Sequence, residues 1–274
     1  MMLRSPFRAM PATIMKTGKP KQPDPSRPPR RIGVVGHPPE TVLAALRGTG
    51  AELVDLDVPR PEAPIRLADP HLPRTFCATL RTVLANALAL EPELVVAGVG
   101  ECKCDGMRFL ARILPDLGIR SIRETRNLAS KGAGTPLCDG TGPLRVRVEA
   151  IMGRILAGVR TPPPPPEPAP PAGFWGVPPC DAALLDLFPD GTRILGWTRA
   201  VENDTPADLG VETFVPPGLP VVFFAQAFCQ KTALARHLAK KHGGLFVDAD
   251  ERITRAVRAK VEAFLELNAG KKNR

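Results

Sequence analysis

The residues of this chain that are best suited to chemistry are its six cysteines. In a reducing compartment such thiols are free, catalytic or metal-bound more often than they are paired in disulfides. A chain of 274 residues can also bury a stable core without disulfide staples. Five of the cysteines lie in loops after predicted strands and one opens a predicted helix, an arrangement that core packing alone explains poorly. The loop cysteines are Cys102, Cys104, Cys138, Cys180 and Cys229, and the helix begins at Cys77.

The strongest local signal is the segment that carries Cys102 and Cys104 just before a predicted helix. A thiolate at the start of a helix is stabilised by the helix dipole and by backbone N–H groups without partners, and Lys103 and Arg108 add positive charge. Such thiolates are good ligands for iron or zinc. The alternative interpretation is a pair of inert turn cysteines.

The pattern of potential ligands favours iron–sulfur chemistry over a zinc site. The chain has no CxxC pair accompanied by a second CxxC or HxxxH, so a zinc ribbon or finger is not expected. All-thiolate ligation drawn from distant parts of a chain suits an iron–sulfur cluster better. The histidines are scattered along the sequence, at His37, His71, His237 and His242.

The sequence also contains a pattern that occurs twice. Residues 36–39 read Gly-His-Pro-Pro after an apolar run, and residues 176–179 read Gly-Val-Pro-Pro after another. Further on, each copy has an apolar strand that runs into a cysteine loop, with Cys104 in the first copy and Cys229 in the second. We therefore predict two related lobes that present cysteines toward one shared metal site.

Strands and helices alternate along the first copy, and along the second copy except between its second and third strands, where only a short connection is predicted. This order predicts an α/β protein of two Rossmann-like lobes with parallel sheets, in which ligands bind beyond the carboxyl ends of the strands. The predicted strands are 32–36, 51–56, 94–98 and 119–123 in the first lobe, and 173–177, 192–198, 220–225 and 244–248 in the second.

Composition shifts predict the boundaries of these lobes. The first lobe spans 31–160 and the second 173–268, and a polyproline stretch at 161–172 reads as a semi-rigid linker between them. Residues 1–30 are Pro-rich, basic and aperiodic, which predicts a disordered tail, and residues 269–274 form a second basic tail.

Charge and hydropathy narrow the classes of partner. The net charge of +9 comes largely from the two tails, and the chain has no Tyr for base stacking, so nucleic-acid binding is not expected. No apolar run is long enough for a membrane span, and we find no convincing signal peptide. The expected location is the cytoplasm.

Several motifs together resemble the family of 2-hydroxyacyl-CoA dehydratase D-components and benzoyl-CoA reductase subunits. The first is the stretch 72–81 around Cys77, followed by a strand and Cys104-Asp105-Gly106. The second-lobe motifs are the Gly-Val-Pro turn at 176–178, Phe228-Cys229, and the helix 258–264 with its Glu-Ala-Phe ending. The likeness covers most of residues 31–268, although the chain lacks the family's helical insertion between Trp197 and Pro220, and Ala78 stands where the family usually has Pro.

The resemblance implies a [4Fe-4S] cluster shared by the two lobes, with Cys77, Cys104 and Cys229 as its protein ligands. It also implies an oxygen-sensitive subunit in low-potential electron transfer or in reductive or dehydrating chemistry. The implied partners are a second protein subunit or an ATP-driven electron donor, with acyl-CoA or another small molecule as substrate. Lower-ranked candidate ligands are Cys102, Cys138 and Cys180.

Two alternatives belong to other functional classes. A non-enzymatic assembly factor would use the same cysteines to hold a metal or cofactor transiently. A degenerate P-loop protein would bind nucleotide through Lys231, since Lys231-Thr232 and Asp248-Ala249-Asp250 follow the spacing of a small-molecule kinase. The glycines that let backbone N–H groups approach phosphates are missing from that loop, which disfavours the P-loop interpretation.

Overall fold

A computed structural model describes residues 29–100, 104–119, 122–130, 141–158 and 170–269. Cys102 and Cys138, residues 161–169 of the predicted linker and nearly all of both predicted tails lie outside this part of the chain.

The first sheet has four parallel strands in the order β2-β1-β3-β4. Its helices connect the strands and cover the sheet. The strands are β1 (Arg31–Val35), β2 (Glu52–Asp55), β3 (Leu94–Gly98) and β4 (Ile122–Thr125), and the helices are α1 (Glu40–Arg47), α2 (Ala78–Leu90), α3 (Asp105–Ile113) and α4 (Leu144–Ala157).

The second sheet is also parallel and has the corresponding order, β6-β5-β7-β8. The predicted α/β class with two parallel sheets is therefore confirmed, whereas the internal repeat and the Pro-rich linker stay predictions. The strands are β5 (Gly173–Trp175), β6 (Arg193–Leu195), β7 (Val221–Gln226) and β8 (Leu245–Ala249), and the helices are α5 (Trp197–Glu202), α6 (Leu209–Thr213), α7 (Lys231–His242) and α8 (Arg255–Ala269).

The central strands are apolar because both of their faces are covered. Every residue of β7 is buried, and four of the five residues of β1 and of β3 are buried. A parallel strand with helices on both sides has no solvent face, so its sequence is a continuous apolar run and not an alternation. These runs made the central strands predictable.

One hydrophobic core is shared by the two lobes. Leu144, Val148 and Ile151 of α4 belong to the same buried cluster as Phe174 and Phe224 of the second sheet. The last helix of the first lobe therefore covers the second sheet, and burial of this apolar surface holds the lobes together.

The predicted strand 192–198 ends earlier than expected. Strand β6 stops at Leu195, Gly196 takes a left-handed backbone with φ 74°, and Trp197 begins α5. A Cβ at Gly196 would lie 2.9 Å from the backbone nitrogen of Gly176, so only glycine allows this approach. The β-rich sequence suggested a longer strand because it does not reveal this tertiary contact.

No helix in the described part of the chain combines the length and apolar character needed to cross a membrane.

The packing around Gly176 generates a stability prediction. A Cβ at this position would lie 2.7 Å from the carbonyl oxygen of Phe224, so we expect Gly176→Ala to lower the free energy of unfolding by about 1–3 kcal/mol. Gly153→Ala is the matched control, because Gly153 lies within α4 with nothing near its added Cβ, and it should stabilise the protein by about 0.5–1 kcal/mol. Urea unfolding of both variants measures the difference, and equal effects would contradict the assigned packing.

Candidate functional site

A cavity of about 710 Å³ lies where the carboxyl ends of the strands of both sheets face each other. The first lobe contributes the end of β1, the residues after β2 and one face of α4. The second lobe contributes residues 177–183, Trp197 and Lys231. All four described cysteines line this cavity, namely Cys77, Cys104, Cys180 and Cys229.

Three of these cysteines stand at the starts of helices. Cys77 directly precedes α2 and Cys104 directly precedes α3, while Cys229 lies in the turn between β7 and α7. Their carbonyl oxygens accept first-turn hydrogen bonds of 3.0 Å from the backbone nitrogens of residues 81, 107 and 232, respectively. Each thiol therefore sits near the positive end of a helix dipole, where a negative charge is favoured.

The turn that carries Cys229 has a constrained backbone. Phe228 adopts φ 61°, in the left-handed region that bulky residues rarely occupy, and its ring is exposed. The backbone nitrogen of Cys229 donates to the carbonyl oxygen of Gln226 at 3.0 Å, which closes the turn. This conformation directs the thiol of Cys229 toward the first lobe.

The thiols of Cys77 and Cys229, which belong to different lobes, shift each other's pKa in opposite directions. The hydrogen bond from the Cys229 thiol, assisted by the backbone N–H groups of Leu80 and Thr79, lowers the pKa of Cys77 to about 6 against the opposing effect of burial. The same hydrogen bond, together with burial, raises the pKa of Cys229. A negative charge on these two thiols is therefore favoured at Cys77 over Cys229.

The other two cysteines are protonated at neutral pH. Burial raises the pKa of Cys104, and the nearby charge of Cys77 adds to this effect. Burial also raises the pKa of Cys180 to about 12. The Sγ of Cys180 lies 3.9 Å from the hydroxyl of Thr79, and its backbone N–H donates to Gln226 at 3.1 Å.

The thiols on the cavity wall are the type of donor that an iron–sulfur cluster uses. Carboxylates such as Asp55 and Glu149 line the same cavity. No group of three or more His, Cys, Asp or Glu side chains within the described ranges is arranged to hold a single metal ion.

Two buried polar side chains that the sequence analysis missed hold the cysteine loops in place. Gln226, at the end of β7, donates through Nε2 to the carbonyl oxygens of Ala249 and Asp250 and accepts from the backbone of Cys180. Arg81 of α2 donates to Asp69 at 2.9 Å and lies 3.9 Å from the carboxylate of Asp250 in the second lobe. A glutamine that ends the apolar run of β7 was the available sequence signal for the first of these.

Charged groups form another part of the cavity wall. Asp55, Arg60, Arg145 and Glu149 all line it. Burial raises the pKa of Asp55 to about 6, although the Asp57 backbone N–H and the charge of Arg60 oppose this shift. The cavity therefore combines thiols, a mainly apolar wall from α4 and groups of both charges.

Lys231 also faces the cavity, but its ammonium group already has a partner. Its Nζ donates to Glu212, whose side chain is only 2% exposed. A phosphate at this position would compete with a buried carboxylate, which is unlike a phosphate-binding loop with an available lysine. Nucleotide binding through Lys231 stays a prediction from the sequence.

No protein-family model and no curated protein sequence matches this chain. The resemblance to dehydratase and reductase subunits therefore stays a prediction. The four described cysteines are all free thiols, and Cys102 and Cys138 lie outside the described residues.

The pairing of Cys77 with Cys229 predicts an unusual titration. In reduced, metal-free protein, one thiolate should form with a midpoint near pH 6, because the Cys229 thiol stabilises the Cys77 thiolate. In Cys229→Ala the midpoint should rise toward that of an ordinary thiol, about 8.5. Thiolate absorbance measured against pH gives both midpoints. Cys77→Ala assigns the signal, because it removes the thiol that should titrate. Cys104→Ser is the control, because it leaves both Cys77 and Cys229 in place. An unchanged midpoint in Cys229→Ala would exclude the hydrogen bond as the cause.

The ion pair of Lys231 with Glu212 predicts a large stability effect. Lys231→Ala would leave a carboxylate buried without its cation, so we expect the free energy of unfolding to fall by about 3 kcal/mol. Lys231→Met/Glu212→Gln should recover part of the loss, since it removes both charges. Lys240→Ala, at an exposed position of the same helix, is the control and should change stability by less than about 0.5 kcal/mol. Equal stabilities of Lys231→Ala and the control in urea unfolding would contradict this assignment.

Proposed function

We propose that this chain binds a [4Fe-4S] cluster between its two lobes and works in low-potential redox chemistry. The observation that carries the proposal is the convergence of Cys77, Cys104 and Cys229 on one cavity from three separate helix starts. Thiols buried singly in separate cores would have argued against it. The proposed ligands come from both lobes, so cluster binding would depend on the lobe interface.

The chain supplies ligands and an environment suited to such a cluster. Cys77, Cys104 and Cys229 would hold it, and helix dipoles would stabilise their thiolates. When bound, the cluster supplies one-electron transfer and Lewis-acid chemistry. Cys180 lies on the same wall as a protonated thiol and is a candidate hydrogen-bond donor to whatever occupies the cavity.

The rest of the cavity supports a small-molecule substrate. Its volume of about 710 Å³ suits an organic molecule of metabolite size. Val148, Met152 and Leu156 of α4 provide an apolar surface, and Arg60 and Arg145 provide positive charge. These features agree with a compact relative of the dehydratase and reductase subunits that acts on acyl-CoA or another small molecule.

The proposal extends to the organisation and partners of the protein. The two lobes have the same strand order, which supports an internal repeat. The Pro-rich stretch between them in sequence would link the two copies. The chain would receive its electron from an ATP-driven donor or pass it to a second subunit. Its free thiols fit the reducing, cytoplasmic setting in which oxygen-sensitive clusters function.

Anaerobic purification tests the ligand assignment. The unaltered protein should contain iron and acid-labile sulfide in equal amounts and should give an electron paramagnetic resonance signal after reduction. Cys77→Ser, Cys104→Ser and Cys229→Ser should each lose most of both elements, because each removes a ligand. Cys180→Ser tests the lower-ranked candidate ligand on the same wall: a retained cluster would limit the ligands to the first three cysteines, and a lost cluster would add Cys180 to them.

The outcomes separate this proposal from its competitors. A full complement of iron and sulfide in all three ligand variants would overturn the assignment. Iron without sulfide would indicate a mononuclear site, and absence of both from carefully anaerobic protein would overturn the function itself.

A further inference from the structure

We propose that Gly153 is a specificity-determining position of the cavity, where the absence of a side chain makes room for an uncharged, apolar segment of the ligand. Such a segment is a hydrocarbon chain or an aromatic ring. The inference rests on the proposed function only in taking this cavity as the substrate site. The observation that carries it is a glycine within the cavity-facing side of α4, with open space where its side chain would be.

One side of α4 forms a wall of the cavity. The residues of this wall recur every three or four positions, which is the spacing of a single helix face. They are Arg145, Val148, Glu149, Met152, Gly153 and Leu156. Gly153 therefore lies within the face that a ligand would contact.

Neither the backbone nor the packing requires glycine at position 153. The residue lies inside a helix of 14 residues, and its φ is not in the left-handed region. An added Cβ would meet no neighbouring atom within 4 Å. Glycine is also less favourable than alanine in a helix interior. What glycine contributes here is space on the cavity side of α4.

Long side chains cover the two preceding positions of the same row on the helix. Positions 145, 149 and 153 are four residues apart, so they follow one another along one face. Nε of Arg145 donates to Glu149 at 2.8 Å, and its Nη1 donates to Asp186 of the second lobe at 3.1 Å. The row is covered by this ion-paired group up to Glu149 and is open at Gly153.

An arginine of the first lobe lies beyond the open position. Nη1 of Arg47, from α1, donates to the carbonyl oxygen of Leu156 at 3.3 Å, and its Nη2 donates to Glu40. The guanidinium of Arg47 also lies against Gly158, the residue that ends α4. Along the helix, the open position therefore lies between two arginines that each have a carboxylate partner.

The surroundings of Gly153 favour an apolar segment of the ligand. Met152 and Leu156 lie beside it in the wall of α4, and Val177 and Trp197 of the second lobe line the same cavity. The arginines on either side already bind carboxylates, so a charged ligand group would have to displace an ion pair. An apolar group needs no such exchange and is stabilised by leaving water.

The test measures the affinity of the full chain for N-phenyl-1-naphthylamine, an uncharged apolar dye that fluoresces when it leaves water. The unaltered protein should bind the dye. Gly153→Leu should bind it about tenfold or more weakly, because the leucine side chain would occupy the open space. Val146→Leu is the matched control, since Val146 is 59% exposed on α4 and is not part of the cavity wall. Its dye affinity should stay within about twofold of the unaltered protein.

Gly153→Ala separates the loss of space from damage to the fold. Alanine should raise the melting temperature, because it is the better helix former, and it should weaken dye binding less than leucine does. A purely structural role for Gly153 would lower stability and affinity together. The alanine variant also keeps the proposal testable if the leucine variant folds poorly.

Three results would overturn the proposal. The first is an equal dye affinity of Gly153→Leu and the unaltered protein. The second is an equal loss of affinity in Gly153→Leu and Val146→Leu. The third is an unaltered protein that does not bind the dye.

Iron and sulfide analysis of the same anaerobic preparations separates this inference from the proposed function. Gly153 is not a proposed ligand, so Gly153→Leu should retain the cluster of the unaltered protein. Weakened dye binding by Gly153→Leu, in protein that never contains iron, would support the role of Gly153 and overturn cluster binding. Unchanged dye binding by Gly153→Leu with a full cluster would overturn the role of Gly153 and leave cluster binding intact.

Discussion

The shared hydrophobic core is the constraint on which the rest of this structure depends. Helix α4 precedes the second lobe in sequence, yet its buried face packs with Phe174 and Phe224 of the second sheet. Val34 and Leu43 of the first lobe join the same cluster. Separation of the lobes would expose this apolar surface to water, with a cost of about 1.5–3 kcal/mol for each large side chain. The orientation of the two sheets, and with it the cavity between them, follows from this burial.

Polar contacts then fix the positions of the thiols within that orientation. Arg81, one turn into α2 from Cys77, contacts Asp69 in its own lobe and Asp250 in the other. Gln226 bonds to the backbone of Asp250 and to the loop of Cys180. Loss of one of these hydrogen bonds would leave a desolvated group, so the bonds favour one placement of the two loops. The positions of Cys77 and Cys180 therefore depend on these contacts as well as on the sheets.

The sequence predicted the parts of the fold that depend on local pattern. Apolar runs revealed β1, β3 and β7, and the rule that parallel strands end at one edge explained why Cys104 and Cys229 would face a common space. The positions of these thiols on the cavity wall were not predictable in detail, because they depend on the packing of α4 and on the left-handed backbone at Phe228. The short helices α5 and α6 were missed because Gly196 ends β6 through a tertiary contact.

The position of α4 also limits how such a protein can change over generations. A lobe whose sheet is covered by a helix from its neighbour is not an independent module, even though a Pro-rich stretch separates the two in sequence. Recombination between related genes at that stretch would combine α4 of one protein with the second sheet of another. The side chains that pack between α4 and the sheet would then no longer fit each other. The two halves are therefore expected to be inherited together and to accumulate compensating substitutions across their common interior.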